Sequence, residues 1–433
     1  MMNRILPMPL RPALNALSLL WLATAAGAVA VFAAQTLLAR RFGPAEYGLF
    51  ASSLATITLI APLAGFGLSQ FRLKVFGTEG WQAQRWRRAS ERFIVASTTL
   101  ALIGVAAWAE WGPPVDARTR QLLWLLLPVI IGLLAVEQIG SKLRLEERHG
   151  ALAAWQLWMP LGRLLVAAYA LAWSGMRIEM VALGYSAVAV LAVFAAMPQW
   201  RSMARGDWAL RGHGAQDVSA LQALPPGVRQ LCVQAWPYGM AAVLYPVFFQ
   251  IGTVLLKYLA GDAAAGHFGI ALAVMTAIYL FPTTVYQKFL LSKLHRWAVH
   301  DRPRFRQVYR WGTVAMLASG IVGGIVLAFA APLATQVFGA GYRTVVPLLQ
   351  VLALCVPLRF LSTAVGSVLL TEGHMRYRVY AMALAALAAV LLNLALIPAF
   401  AEMGAAIATV IAEALLLGLM YRGARRVDAL ELD

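Results

Sequence analysis

The chain reads as an all-α polytopic membrane protein of about twelve transmembrane helices in two parallel six-helix bundles, and three observations lead there. Of its 433 residues 61% are hydrophobic and 13% charged, whereas a soluble domain carries about 25% charged residues. Uncharged stretches of about 20 residues, the length that crosses hydrocarbon as a helix, recur along the whole sequence. A motif at the end of the first stretch returns near the middle of the chain.

The predicted spans of the first half are Leu14 to Leu38, Tyr47 to Phe71, Phe93 to Trp111, Gln121 to Gly140, Ala151 to Ser174 and Met180 to Trp200. Those of the second are Leu231 to Leu256, Gly266 to Leu290, Trp311 to Ala331, Val345 to Leu370, Val379 to Ala399 and Met403 to Tyr421. The first stretch has a basic flank, Arg4 and Arg11, and alanines near Ala26 to Ala34 that mimic a cleavage site. Its apolar length exceeds a signal-peptide core, so it is expected to stay as an uncleaved helix. The most polar segment, Arg201 to Gln230, holds Gly206, Gly212, Gly214, Pro225 and Pro226 and reads as a linker. The expected division is therefore a bundle over 1–200, a linker over 201–230 and a bundle over 231–433.

The repeat is ungapped. Leu37 to Phe50 aligns with Leu255 to Phe268, both reading L-L-x4-G-x4-G-x-F. The paired glycines suit a tight turn between helices, so each half should open with a short hairpin. Pro62 matches Pro282 and Pro128 matches Pro347 within a residue or two; Pro62 and Pro282 should kink the second helix of each half. Six spans per half return the chain to its starting side, which makes the halves parallel repeats about an axis along the membrane normal, with a cleft between them.

The net charge of +17 does not point to nucleic acid, because the basic residues lie in separate short loops. With the amino terminus inside, roughly 27 of the 36 Lys and Arg residues fall on the cytoplasmic side, as the positive-inside bias requires. Clusters such as Arg72/Lys74/Arg85/Arg87/Arg88/Arg92 and Lys288/Lys293/Arg296 belong to that side. Both termini are then cytoplasmic, and membrane lipids are expected partners. The segment Trp81 to Arg88 alternates tryptophan with arginine and reads as an interfacial anchor. Cys232 and Cys355 lie in different spans and suggest neither a disulfide nor a metal site. No phosphate-binding loop, metal-ligand spacing or catalytic set is present in the sequence, and no cofactor is expected.

Arg163 and Arg359 sit deep in apolar stretches, one in each half. A guanidinium at that depth costs about 2.5–3.5 kcal/mol even on lenient insertion scales, so each needs a partner. Either they face the cleft and grip an anion, or they are neutralised by an acid or by carbonyls freed at Pro160 and Pro357. Glu413, central in its span, is either a proton or sodium coupling site or an arginine's counter-ion. Glu137 can snorkel toward the cytoplasmic end. Gln70, Gln250 and Asn393 are suited to interhelical hydrogen bonds or to sugar contacts. Arg40, Arg41 and Glu46 read as solvated hairpin residues, the two arginines also placed to meet an emerging anion. His267 reads as a headgroup-level residue.

Leu38-Ala39-Arg40-Arg41-Phe42-Gly43-Pro44-Ala45-Glu46-Tyr47-Gly48-Leu49-Phe50, followed by Gly65-Phe66-Gly67-Leu68-Ser69-Gln70, resembles the opening of polysaccharide-biosynthesis flippases of the multidrug/oligosaccharidyl-lipid/polysaccharide exporter (MOP) superfamily. Phe338 to Tyr342 running into Val346-Pro347, and Leu392 to Pro398 running into Gly404 to Thr409, resemble that family's second half. The resemblance implies a non-enzymatic flippase of the inner membrane. It would move an undecaprenyl-pyrophosphate oligosaccharide outward by alternating access, for O-antigen or exopolysaccharide assembly. Its partners would be the lipid-linked oligosaccharide, a coupling H+ or Na+ ion and other polysaccharide-assembly proteins. Arg163, Arg359, Gln70, Asn393, Arg40 and Arg41 would then meet substrate. An ion-coupled multidrug or cation exporter of the same fold, and a membrane polymerase or ligase, are the rival readings; the span Leu14 to Leu38 lacks the acid that the first of these would use.

A periplasm-dependent reporter fused after Arg211 is expected to stay silent, and activity there would overturn the predicted topology.

Overall fold

In a computed structural model the chain is described over residues 10–113, 116–211, 225–283, 302–367, 369 and 375–430. Every regular element among the described residues is helical, as expected where no water can satisfy an open backbone. The elements of the first half are α1 (Leu10–Ile60), α2 (Leu68–Glu79), α3 (Arg87–Trp111), α4 (Ala117–Leu126), α5 (Pro128–Leu145), α6 (His149–Ala172) and α7 (Ile178–Arg205). Those that follow are α8 (Val228–Leu259), α9 (Asp262–Thr283), α10 (Arg302–Ala330), α11 (Ala334–Phe338), α12 (Val345–Leu352), α13 (Cys355–Gly366) and α14 (Met375–Leu430).

Nine helical segments among the described residues are long and apolar enough to cross a membrane. Two are too long for one crossing, at 94 residues (Ser18–Trp111) and 51 residues (Met375–Arg425), because about 20 residues span the hydrocarbon. Each is broken: α1 at Gly43, with φ 73° and ψ 175°, and α14 at Ala401, with φ 47°. Large apolar side chains cover the outside, with Val95, Leu100, Ile103, Trp111 and Phe329 all more than half exposed. Such a surface suits lipid. The fold is an all-α polytopic membrane fold.

Three predicted spans differ in detail. The Gln121 to Gly140 stretch is divided into α4 and α5 where Pro128 withholds a backbone donor. The Val345 to Leu370 stretch is divided into α12 and α13 across Ala353 and Leu354, with its last residue outside the described set. Pro62 does more than kink its span. It lies in a short 3-10 turn, Ala61–Leu63, after which Gly65, Phe66 and Gly67 all take positive φ before α2 restarts. The segment after Pro282 and the basic cluster Lys288/Lys293/Arg296 lie outside the described residues.

Side-chain contacts sort the loops into two ends. At the hairpin end, Arg118 grips Glu46 through two 2.7 Å bonds and also reaches Glu179. Lys257 lies 3.4 Å from Asp116, and Tyr342 donates its hydroxyl to the Ala39 carbonyl at 3.2 Å. At the linker end, Gln84 donates to the Gly206 carbonyl, Trp208 stacks on Phe76, and Lys142 bonds Gln199, Ser202 and Glu146. The Trp81 to Arg88 segment is thus no surface anchor throughout: Trp86 is buried edge-on against Phe71. Within the first half, α5 and α7 approach closely because Gly132 faces Ala189, the small-residue contact typical of helices in lipid.

The two copies of the repeated hairpin meet each other, and they do so reciprocally. A Cβ at Gly48 would overlap the carbonyl oxygen of Asp262, and one at Gly266 would overlap the carbonyl oxygen of Pro44. Gly48 aligns with Gly266 and Pro44 with Asp262, so each glycine touches the equivalent of its own neighbour. That is the contact pattern of a local two-fold axis. Replacing Gly48 or Gly266 with Val is expected to cost about 1–3 kcal/mol by overpacking, whereas Gly77→Ala, with open space around it, should be neutral or stabilising. Thermal unfolding in detergent checks both, and tolerance of valine at the crossing would refute the close approach.

Candidate functional site

The two deep arginines have different surroundings. Arg359, on α13, points into a box of rings from α8 and α9. Its guanidinium carbon lies 4.3 Å from the Phe249 ring centre, 5.3 Å from Tyr279, 5.6 Å from Phe248 and 5.8 Å from Tyr245. Its Nε lies 3.5 Å from Oε1 of Glu413 on the second leg of α14. Glu413 is wholly buried and neither of its oxygens accepts a hydrogen bond among the described residues. This arrangement joins Arg359 to Glu413 as a buried ion pair, with the ring faces replacing part of the guanidinium's lost hydration.

The box was not anticipated from sequence. Its signal was available in Tyr245, Phe248 and Phe249 at i, i+3 and i+4, one face of α8. Proline 246, inside α8, sits among them. Asn393 belongs to the same region, on the first leg of α14. It donates to the Ala389 carbonyl at 2.7 Å, while its Oδ1 is buried without a partner. A cavity of about 10 Å³ beside it is lined by Phe248, Phe249, Tyr279 and Ala412, room for about one water molecule.

Arg163, on α6, has no such acid among the described residues. Its guanidinium carbon stands 5.3 Å from the Tyr185 ring centre, and Tyr185 in turn packs edge-on against Phe50 at 5.1 Å. The Nε and Nη2 groups of Arg163 are buried with no hydrogen-bond partner among the described residues. Once Glu413 has neutralised Arg359, Arg163 is the uncompensated one of the three deep charges singled out from the sequence. No described contact joins Arg163 to Arg359.

The remaining candidates scatter. Gln70 is exposed at the start of α2, and Gln250 is half-buried on α8. Glu137 is exposed and accepts a hydrogen bond from buried Ser69. Arg40 is exposed, Arg41 donates to the Ser174 carbonyl, and Glu46, 40% exposed at its side chain, is bound by Arg118, so the last two also tie the hairpin end together. His267 is no isolated headgroup residue. It contacts Glu402 and the Gly341 carbonyl, each at 3.2 Å. Among the described residues no cluster of His, Cys, Asp or Glu could hold a metal ion.

If Glu413 serves Arg359, Glu413→Met should lower stability by about 3–5 kcal/mol by stranding a buried cation. The double variant Arg359→Met with Glu413→Met should recover most of that loss. Arg163→Met should rescue nothing, and a rescue by it in thermal melts would contradict the pairing.

No protein-family model and no curated protein sequence matches the chain. Solved structures do. A lipid II flippase in its inward closed conformation aligns over 94% of this chain and 87% of that one, with TM-score 0.70 and 14% identity. A eukaryotic MATE transporter aligns over 95% and 97%, with TM-score 0.62 and 13% identity. A MOP-superfamily transporter from Pyrococcus furiosus, with a binding pocket of reverse polarity, aligns over 96% of each chain, with TM-score 0.61 and 14% identity. At these identities the likeness is one of architecture, and the chain has the fold of MOP-superfamily flippases and exporters.

Proposed function

We propose that the chain is a flippase for an anionic lipid-linked oligosaccharide, carried as an undecaprenyl pyrophosphate and moved by alternating access between two bundles, 1–200 and 231–433, joined by the linker 201–230. The observation that carries this reading is Arg163, whose Nε and Nη2 are buried without a hydrogen-bond partner and which has no acidic counter-ion among the described residues. A pyrophosphate supplies both the charge and the acceptor oxygens that such a group lacks. The similarity to a lipid II flippase over most of both chains supports a lipid-linked cargo. A cation or drug exporter of the same fold is disfavoured, because its central acid would have to be free, and Glu413 is taken by Arg359.

Twelve crossings follow when the legs of α1 and α14, and the runs through α2, α4 to α5 and α12 to α13, are each counted as one pass. The linker end is assigned to the cytoplasm. It carries the basic clusters, whereas at the hairpin end Arg118, Arg120 and Lys257 are paired with acids. The reciprocal glycine contact brings the two hairpins together at that end, which supports a conformation closed toward the outside. Gln70, Arg40 and Asn393 remain candidate contacts for the sugar or the emerging headgroup, and Glu137 stands by the linker-end entry.

Arg163→Ala is expected to abolish flipping of a fluorescent polyprenyl-pyrophosphate oligosaccharide in proteoliposomes while leaving the melting temperature equal or higher. Arg163→Lys should retain part of the activity. Wild-type flipping by folded Arg163→Ala would overturn the reading.

A further inference from the structure

A cavity of about 400 Å³ lies inside the first half at its linker end, away from both arginines. It is enclosed by α2, α3, α5 and the last turns of α7. Its rim includes Val95, which is 67% exposed and continues into the lipid-facing side chains Leu100 and Ile103. The opening is therefore sideways, toward lipid tails. The deep wall is Ile94, Leu134 and Phe71, and Trp86, Trp200 and Trp208 gather at the linker end, the level where tryptophan meets headgroups.

Two features make this a built site and not a packing gap. Gln138 is 1% exposed, yet both atoms of its amide lack a hydrogen-bond partner among the described residues. Leaving such a group unsatisfied costs about 1–3 kcal/mol. Arg72 supplies the charge, held over Trp208 at 5.6 Å with its Nη1 donating to Ser141 at 3.3 Å. Ser141 and Gln138 are three residues apart on α5, so the orphaned amide lies about 4.5 Å deeper than the guanidinium's contact. The hydroxyl of Thr98, also without a hydrogen-bond partner among the described residues, lines the same space.

We propose that this cavity binds one anionic glycerophospholipid of the inner leaflet, its phosphate at Arg72, its ester carbonyls at Gln138 and Thr98, and an acyl chain leaving past Val95. The vertical order of cation, then neutral donors, then apolar wall matches phosphate, ester and tail. A polyprenyl phosphate has no ester carbonyl to offer Gln138, which is why the occupant is assigned as a membrane lipid and not as cargo. The proposal rests on the assignment of the linker end to the cytoplasm but not on the identity of the cargo.

The test uses the full-length chain stripped of lipid in detergent and titrated with phosphatidylglycerol, phosphatidylcholine or undecaprenyl phosphate. Native mass spectrometry and the melting temperature report binding. One phosphatidylglycerol per chain should be retained where phosphatidylcholine is lost, and undecaprenyl phosphate should not displace it. Arg72→Gln should weaken retention about fivefold, the effect of one basic group on an anionic headgroup. Glu91→Gln, which removes an exposed acid from the cavity wall, should tighten it by a similar factor, a gain that misfolding cannot imitate. Gln138→Leu should raise the lipid-free melting temperature by removing the orphaned amide while shrinking the shift that phosphatidylglycerol produces. Equal retention of the two phospholipids, displacement by undecaprenyl phosphate, or lipid shifts unchanged in Glu91→Gln and Gln138→Leu would each overturn the proposal.

Discussion

Hydrocarbon offers no hydrogen bonds, so wherever the backbone leaves the helix within the bilayer another part of the protein has to cover it. The arrangement of this chain follows from that demand. The break at Gly65, Phe66 and Gly67 is covered on one side by Leu134 and Gln138 and on the other by Tyr238 and Gly239 of α8. The Gly65 amide donates a hydrogen bond to the Ser97 hydroxyl oxygen at 3.1 Å. The break between α4 and α5 is shielded by α7, where Ser186 donates to the Leu125 carbonyl. Irregular backbone and interhelical contact thus coincide, and the lipid face is left to unbroken helix.

The same solvent makes charge the scarcest feature of the interior and separates the two arginines that look alike in sequence. Arg359 is neutral as a unit, because an acid and four rings surround it. Arg163 is not. Among the described residues no acid lies beside Arg163 as Glu413 lies beside Arg359, and the proposed anionic cargo rests on that difference.

Much of this was legible in the sequence, and the parts that were not share a physical cause. Long apolar runs announce themselves by composition, and the hairpin repeat could be read letter by letter because a close helix crossing tolerates few residues besides glycine. The depth of Arg163, Arg359 and Glu413 followed from their distance to the nearest polar loop. Which of them would touch which could not follow, since Arg359 and Glu413 are 54 positions apart and their meeting depends on how α13 and α14 pack. The pairing of Arg118 with Glu46, and the burial of Trp86, were hidden for the same reason. A loop's composition gives its polarity but not the loop it folds against.

The reciprocal crossing of Gly48 and Gly266 also sets the mechanics of the molecule. It lies at the hairpin end, while helices such as α6, with 24 residues, extend about 36 Å, so a hinge placed at the crossing would work on a long lever. A relative rotation of about 10° there sweeps the far ends through roughly 6 Å over that length, while the glycines themselves barely shift. Being related by symmetry, the two contacts turn together, and bulk added at either glycine jams both arms at once.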